Sequence, residues 1–346
     1  MLEIMSVNAF LKTSSEPRPR RRLKLGSWAL AGLPAFLLGY LAQIDLRAAA
    51  DAPGTWVMPA LQAVLFPLCV LALLAALVFL ACRRVVAAVL LVIAVVAAGS
   101  AARIQDPAPA VLASAQELES APEVRLLSVN AQLGGLDPAA LLAEVKARQV
   151  QVLVLQEATE ALLARLYADH GFAAALPHRT GRLPAVGADG TAILSAGPLA
   201  EERPAWPDGG RHFEQRTATV TLPGHRPFRV VAVHTLPPLA DAGLWRSELD
   251  TLSTYQRART DLPLVVAGDF NATQAMPGFR SAAEGLDDAA RVAGWLPRPT
   301  WPDRPLPLAQ LDHVLLRGLA PATWDTVALA GTDHRGVAVT LRAPAA

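Results

Sequence analysis

Cysteine is scarce in this chain: two residues, Cys69 and Cys82, in 346. Both sit in one apolar run, thirteen positions apart in what reads as one helix, so they cannot bridge each other within it. That excludes a disulfide framework and a cysteine-based metal site, and leaves the redox compartment undecided. Aromatic residues are also few, 5% in a chain that is 53% hydrophobic. Beyond residue 105 there is one lysine, Lys146. No repeat recurs at a fixed period.

Charge is missing altogether from three stretches. Residues 25–44, 56–82 and 85–102 carry no Asp, Glu, Lys, Arg or His. A helix needs about 20 apolar residues to cross the hydrocarbon core. Residues 56–102 taken as one helix would run roughly 70 Å at 1.5 Å per residue, which is far too long. Three spans are therefore expected, with Arg83 and Arg84 at the turn between the second and third. Pro34, Pro59 and Pro67 are tolerated in membrane helices. Without ionisable residues the spans offer no proton relay or ion path, and read as an anchor. A cleaved signal peptide is the competing reading of the first stretch. Its length, the lack of a small-x-small exit and the two stretches that follow argue against it.

Residues 1–105 hold ten Lys+Arg and four Asp+Glu, and the remainder holds twenty-one and twenty-six. The total of +1 thus hides a basic apolar part and a mildly acidic polar part. Arg18, Arg20, Arg21, Arg22 and Lys24 precede the first stretch, whereas the next loop holds only Arg47 beside Asp45 and Asp51. The excess of basic residues stays inside. This predicts a cytoplasmic segment 1–24, spans within 25–102, a Pro- and Ala-rich linker 103–123, and an extracytoplasmic domain 124–346 at the plasma membrane.

That domain reads as α/β. Apolar runs at 124–129, 150–155, 191–194, 217–222, 228–233, 264–267, 311–316, 326–329 and 336–341 predict strands. Helices are expected from Asp137-Pro138, over 159–168 and around 244–257. Uninterrupted apolar strands interleaved with helices imply buried sheets.

Polar residues recur at the strand ends. Asn130, Glu157 and His234 each close one, and Gly268-Asp269-Phe270-Asn271 closes a fourth. Asp312-His313 opens a run, and Asp333-His334 precedes the last. Alternate residues of an extended segment point the same way, so Asp269 and Asn271 face one point together. Taken singly, Asn130 also reads as a turn former, Glu157 as a first-turn helix acid and His234 as a satisfied core histidine. Gly-Asp-Phe-Asn is more specific, since a turn would want Gly after the Asx residue. Convergent oxygen ligands suit Mg2+ or Mn2+, and histidines beside carboxylates suit proton transfer.

In this order, Asn130, Gln156-Glu157, Val233-His234, Gly268-Asp269-Phe270-Asn271, Leu311-Asp312-His313 and Thr332-Asp333-His334 resemble the successive motifs of the endonuclease/exonuclease/phosphatase superfamily. The resemblance covers residues 124–342. With the three apolar stretches and Thr300-Trp301-Pro302, it is similar more narrowly to an actinobacterial membrane-bound branch that includes a protein linked to teicoplanin resistance. It implies a four-layer α/β sandwich, two stacked mixed sheets flanked by helices. It also implies Glu157 as principal metal ligand with Asn130 beside it, and Asp333 as a second metal-side acid. Asp269 would activate water and Asn271 bind phosphate. His334, oriented by Asp312, would sit at the scissile phosphate, His234 near the leaving group, and Arg216 would contact phosphate. Two positions depart from the pattern: Gln132 stands where an acid is common, and Thr332 where Ser is usual.

The resemblance implies a metal-dependent phosphoesterase. A membrane-tethered enzyme acting on a phosphate ester or anhydride, with lipid-linked envelope intermediates foremost, is the leading reading. A tethered nuclease is the alternative, disfavoured because nucleic-acid binding relies on basic patches. A non-catalytic envelope or drug-resistance protein is the third. Oligomeric state is not legible.

Overall fold

A computed structural model describes residues 57–101, 115–202, 213–294 and 298–346, together with a helical fragment within 32–41. The two-sheet part starts at β1 (Glu123–Asn130). It continues through α5 (Pro138–Arg148), β2 (Val152–Gln156), α6 (Glu160–Tyr167), α7 (His170–Ala175), β3 (His178–Arg179), β4 (Ala192–Ser195), β5 (Leu199–Glu202) and β6 (Thr217–Val220). Then come β7 (Phe228–His234), α8 (Ala242–Ala258), β8 (Leu264–Asp269), α9 (Pro277–Ala282), β9 (Asp287–Asp288), α10 (Ala289–Ala293), β10 (Asp312–Arg317), β11 (Ala320–Ala328) and β12 (Arg335–Arg342). Before it lie α1 (Val57–Ala63), α2 (Leu65–Ala81), α3 (Val85–Ala101) and α4 (Ala115–Glu119).

Strands of the first sheet lie in the order β11-β12-β1-β2-β4-β3, and those of the second in the order β5-β6-β7-β8-β10-β9. Parallel pairing is confined to β1–β2 and β7–β8, at the centre of each sheet. Period-two alternation explains the layering. Val124 and Leu126 of β1, Val152 and Val154 of β2, Val230 and Ala232 of β7, and Val265 and Ala267 of β8 point into one core between the sheets. The intervening Leu127, Val129, Leu153 and Leu155 meet the α5–α7 layer. Val231, Val233 and Val266 meet α8 and α9 on the other side. Both faces of the central strands are buried, as their continuous apolar runs predict, and the four-layer sandwich is as expected.

Helix starts follow the sequence. Asp137 accepts from Ala139 N and Pro138 fills the first position of α5; Asp241 accepts from Leu244 N and opens α8. The short edge strands β3, β5 and β9 and the helices α7, α9 and α10 were not expected. Two to six residues carry too little periodicity to stand out.

The expected spans need correction. The stretch 25–44 falls largely outside the described residues. Among the described residues no helix is long and apolar enough to cross a membrane. α2 and α3 are 17 residues each, about 26 Å at 1.5 Å per residue against a core of about 30 Å. The stretch 56–82 is interrupted at Val64, the start of the turn in which Pro67 has no N–H to give Ala63 O. Val64 N still bonds Ala60 O, and Leu68 N bonds Val64 O, so backbone pairing continues across the break. Arg83 and Arg84 lie in the turn between α2 and α3, as predicted. Met58 and Ala63 pack against the cluster of Phe270, Ala272 and Met276, and Leu65 packs with Ala275. Thr273 Oγ1 donates to Gln62 O at 3.4 Å.

Candidate active site

The alternation that fills the inter-sheet core also builds the mouth at one end of it. Continuing the inward series by two residues reaches His234 on β7 and Asp269 on β8, and on β1 it runs through Ser128 to Asn130. Asp312 opens the inward series of β10. His234 pairs in register with Asp269, and Asp269 with Asp312, so three functional groups form a row across the second sheet. Asn130, in register with Gln156, stands opposite on the first sheet, with Glu157 one residue further on. The row needs Gly268. Its φ is 148°, and a Cβ there would lie 1.9 Å from Val233 O, so no other residue fits between β7 and β8. Glu157 (φ 51°) and Asn271 (φ 44°) are left-handed, a costly conformation held by the surrounding bonds.

Asn130 ties the sheets together. Its Nδ2 donates to Glu157 Oε1 and to Asp269 Oδ2, each at 3.0 Å, and its Oδ1 accepts from Gln132 N. Leu133 N donates to Glu157 Oε2 at 2.9 Å. Asp269 Oδ1 accepts from Asn271 N at 2.8 Å. Asn271 Nδ2 carries two hydrogens and gives one to Thr235 O at 2.8 Å. Asp312 Oδ2 lies 2.9 Å from His334 Nδ1, which leaves His334 Nε2 facing Asp269 Oδ2 at 3.7 Å. Thr332 Oγ1 donates to Asn130 O and accepts from His334 N, the service a Ser would give at this position.

The two histidines are tuned in opposite directions. Burial opposes a charge on His334, but Asp312 and then Asp269 outweigh it and lift its pKa to about 10. It is an imidazolium at neutral pH, with one N–H on Asp312 and one aimed at the mouth. Burial pushes the pKa of His234 down, against the pull of Asp269. Its Nδ1 lies 2.9 Å from Ala188 O, a group that only accepts, so the proton sits there. Nε2 then turns a lone pair toward Glu157 Oε1 at 3.6 Å and Asp269 Oδ2 at 4.0 Å. Burial raises the pKa of Asp269; His334 pulls it down and Asp312 pushes it up. A carboxylate so held is a suitable acceptor for a proton from water.

The donor set fits a divalent cation. Asp269, Asp312 and His334 each offer an atom within 4.8 Å of the others. Asp269 and Asp312 offer oxygens and His334 a ring nitrogen. Asp312 Oδ1 is buried without a hydrogen-bond partner, and an orphaned carboxylate oxygen beside a second buried carboxylate is what a cation satisfies. Glu157 Oε1, Asp269 Oδ2 and the Nε2 lone pair of His234 converge without enough protons between them. Oxygens of this kind suit a hard ion.

Two expected residues are engaged elsewhere. Asp333 accepts from the Trp301 indole at 3.1 Å. Arg216 is spread over Glu201, Glu214 and Arg182 O. Others were missed. Gln215 brackets His234 through backbone bonds, and Phe213 stacks on its ring at 4.5 Å. Thr300 Oγ1 accepts from Leu311 N and Asp312 N. Thr300-Trp301 was conspicuous as a dipeptide, but nothing local tells that it buttresses Asp312.

Residues 127–334 match the model of the Endonuclease/Exonuclease/phosphatase family. No curated protein matches the chain. Among solved structures, humanized D. rerio TDP2 carrying 14 mutations is 18% identical, over 63% of this chain and 98% of that one, with a TM-score of 0.51. A functionally unknown conserved protein from Enterococcus faecalis V583 is 14% identical, over 64% and 100%, with a TM-score of 0.51. D. rerio TDP2 complexed with a single-strand DNA product is 15% identical, over 63% and 98%, with a TM-score of 0.50. At these identities the likeness is one of fold.

Proposed function

The chain belongs to the endonuclease/exonuclease/phosphatase family, whose members are typically phosphoesterases or nucleases that generally use divalent metal ions, and from that premise we propose that it is a membrane-held, metal-dependent phosphoesterase. It hydrolyses a phosphate ester or anhydride at the outer surface of the plasma membrane, with lipid-linked envelope intermediates as the leading substrates. The observation that carries the reaction class is the His234–Asp269–Asp312 row facing Asn130 and Glu157, with His334 pinned by Asp312.

Each side chain then has a task. Mg2+ or Mn2+, if held by Glu157 and the buried carboxylates of Asp269 and Asp312, would supply charge neutralisation at phosphoryl oxygens. Asn130, expected as a ligand, instead turns its Nδ2 hydrogens to Glu157 and Asp269 and holds those two carboxylates in place. Asp269 takes the proton of the attacking water. The unspent N–H of His334 stabilises charge on the phosphoryl or leaving oxygen, and the second N–H of Asn271 positions phosphate. His234 holds its lone pair toward the same point.

The membrane part rests on α2 and α3. Leu71, Leu74, Leu77, Val78, Ile93 and Val96 are all more than half exposed, and water does not favour a bare apolar rod. Tethering also raises the effective concentration of a substrate held in the same bilayer.

The test uses the full chain in lipid vesicles with Mg2+ or Mn2+. A lipid pyrophosphate, a soluble phosphodiester and a short DNA duplex are offered at equal phosphate concentration. Metal-dependent release from the lipid substrate is expected to be fastest, and to stop with chelator. Faster cleavage of the DNA would replace the lipid reading with the nuclease.

A further inference from the structure

Large apolar side chains are exposed unevenly on the two-sheet domain. Among the described residues seven qualify, and six of them, Leu133, Val186, Leu239, Trp301, Leu306 and Leu308, stand on loops at the catalytic end. Each can be placed from its neighbours. Leu133 gives its N–H to Glu157. Val186 is two residues from Ala188, whose carbonyl accepts from His234 Nδ1. Leu239 follows Thr235, which holds Asn271. Trp301 bonds Asp333, and Leu306 and Leu308 lie in the same 301–309 hairpin, closed by Leu308 N on Trp301 O. The seventh, Val292, lies on α10. Single exposed apolar residues need no explanation, but a ring of them around one mouth does.

The apolar helices reach the domain at this end too. α1 and the start of α2 pack on Phe270, Ala272, Ala275 and Met276, and Gln62 O takes the Thr273 hydroxyl. Those residues directly follow Asp269. The helices are therefore seated on the loop that carries the reaction centre, not at the far end of the sandwich where the β6–β7 turn lies.

We propose that this rim is a lipid-docking surface, so that the mouth between the sheets faces the bilayer and takes phosphate at headgroup depth. The occupant is a phospholipid surface. The shared location of the rim and of the apolar helices at this end of the domain favours it. Side chains of this kind sit about 5–10 Å into the headgroup and acyl boundary. The inference rests on the membrane-held reading above, but it concerns orientation rather than chemistry.

The test reads position without using activity. In a full chain carrying Cys69→Ala and Cys82→Ala, single cysteines are placed at Val186, Leu239 and Leu306, which are 80%, 56% and 64% exposed. Arg226, in the β6–β7 turn at the opposite end, serves as control. Each is labelled with an environment-sensitive fluorophore. The protein is reconstituted in phosphatidylcholine/phosphatidylglycerol vesicles containing lipid with a quencher high on the acyl chain. Labels at 186, 239 and 306 are expected to shift to the blue and lose emission to the quencher, and the label at 226 to do neither. Equal behaviour at all four positions would overturn the orientation. A blue shift at the rim without quenching would mean that a second protein copy covers it, and would also overturn the proposal. Lipid hydrolysis with an unquenched rim rejects this surface and leaves the phosphoesterase standing; a quenched rim without hydrolysis does the reverse.

Discussion

Two histidine–aspartate pairs lie back to back on β10. Asp312 points into the mouth and meets His334, while His313, the next residue, points to the opposite face and meets Asp288. The ring-to-carboxylate distance is 2.9 Å in both. Both histidines have raised pKa values, against burial, because a carboxylate is in contact. They differ at the other ring nitrogen. His313 Nε2 is shared between Ala272 O and Gln310 O, and the ring is closed in by Phe270 and Phe279. His334 Nε2 faces only Asp269, across the mouth. The chemistry of the pair is the same; an unspent N–H separates a reaction group from a rivet. His313 holds Ala272 in place, and with it the loop carrying Asp269 and Asn271.

The comparison breaks most easily at its catalytic side. Asp269→Asn is expected to lower the rate by about 10²–10⁴-fold while the melting temperature barely moves. His334→Ala should lower the rate comparably and also lower the melting temperature, because it leaves Asp312 buried without its cationic partner. Phosphate release and a thermal melt on the same preparation check this. If the Asp269→Asn chain unfolds, the mouth is structural and the contrast is void.

His313→Ala should do the opposite of Asp269→Asn. It leaves Asp288 buried and uncompensated, so a loss of about 3–5 kcal/mol in stability is expected from denaturant titration. Any fall in rate should follow from the loosened loop. An intact fold with lost activity would make His313 a reaction group.

A pH series sharpens the same contrast. Both histidines have folded pKa values above the unfolded 6.5, so the stability they contribute is present in full below pH 6.5. It is lost as pH rises through the folded values, for His334 near pH 10. Melting temperature should fall over that window, and His313→Gln should start lower and fall less. A parallel curve for the variant would contradict the buried charged pair.

The smallest effect is expected at Arg216. With its guanidinium on Glu201 and Glu214, Arg216→Ala should cost about 1 kcal/mol and leave KM nearly unchanged. A large rise in KM with an unchanged melt would instead restore it as a phosphate contact.

How much of this the sequence disclosed follows from the range over which each signal acts. Strands end at Asn130, Gln156, His234 and Asp269 because alternation and apolar runs are local patterns, and polar residues closing them stand out. Gly268 was visible beside Asp269, although only the approach of Val233 O explains it. The His313–Asp288 pair joins residues 25 positions apart with no motif between them. The Trp301–Asp333 bond is similarly hidden, and Asp333 therefore reads from sequence as a metal-side acid. The apolar rim is gathered from four separate loops, one residue each from three of them and three from the 301–309 hairpin, so no periodicity announces it. Apolar composition announces helices at α2 and α3, but not the break at Val64.

The most direct measurement compares wild-type chain with Asp269→Asn in lipid vesicles, following phosphate release from a lipid pyrophosphate as Mn2+ is titrated from chelated to saturating. The account predicts no release without metal, saturable release with it, and a variant that keeps the wild-type melting temperature but stays near the baseline. Release that is indifferent to chelator, or an Asp269→Asn chain as active as wild type, would contradict it.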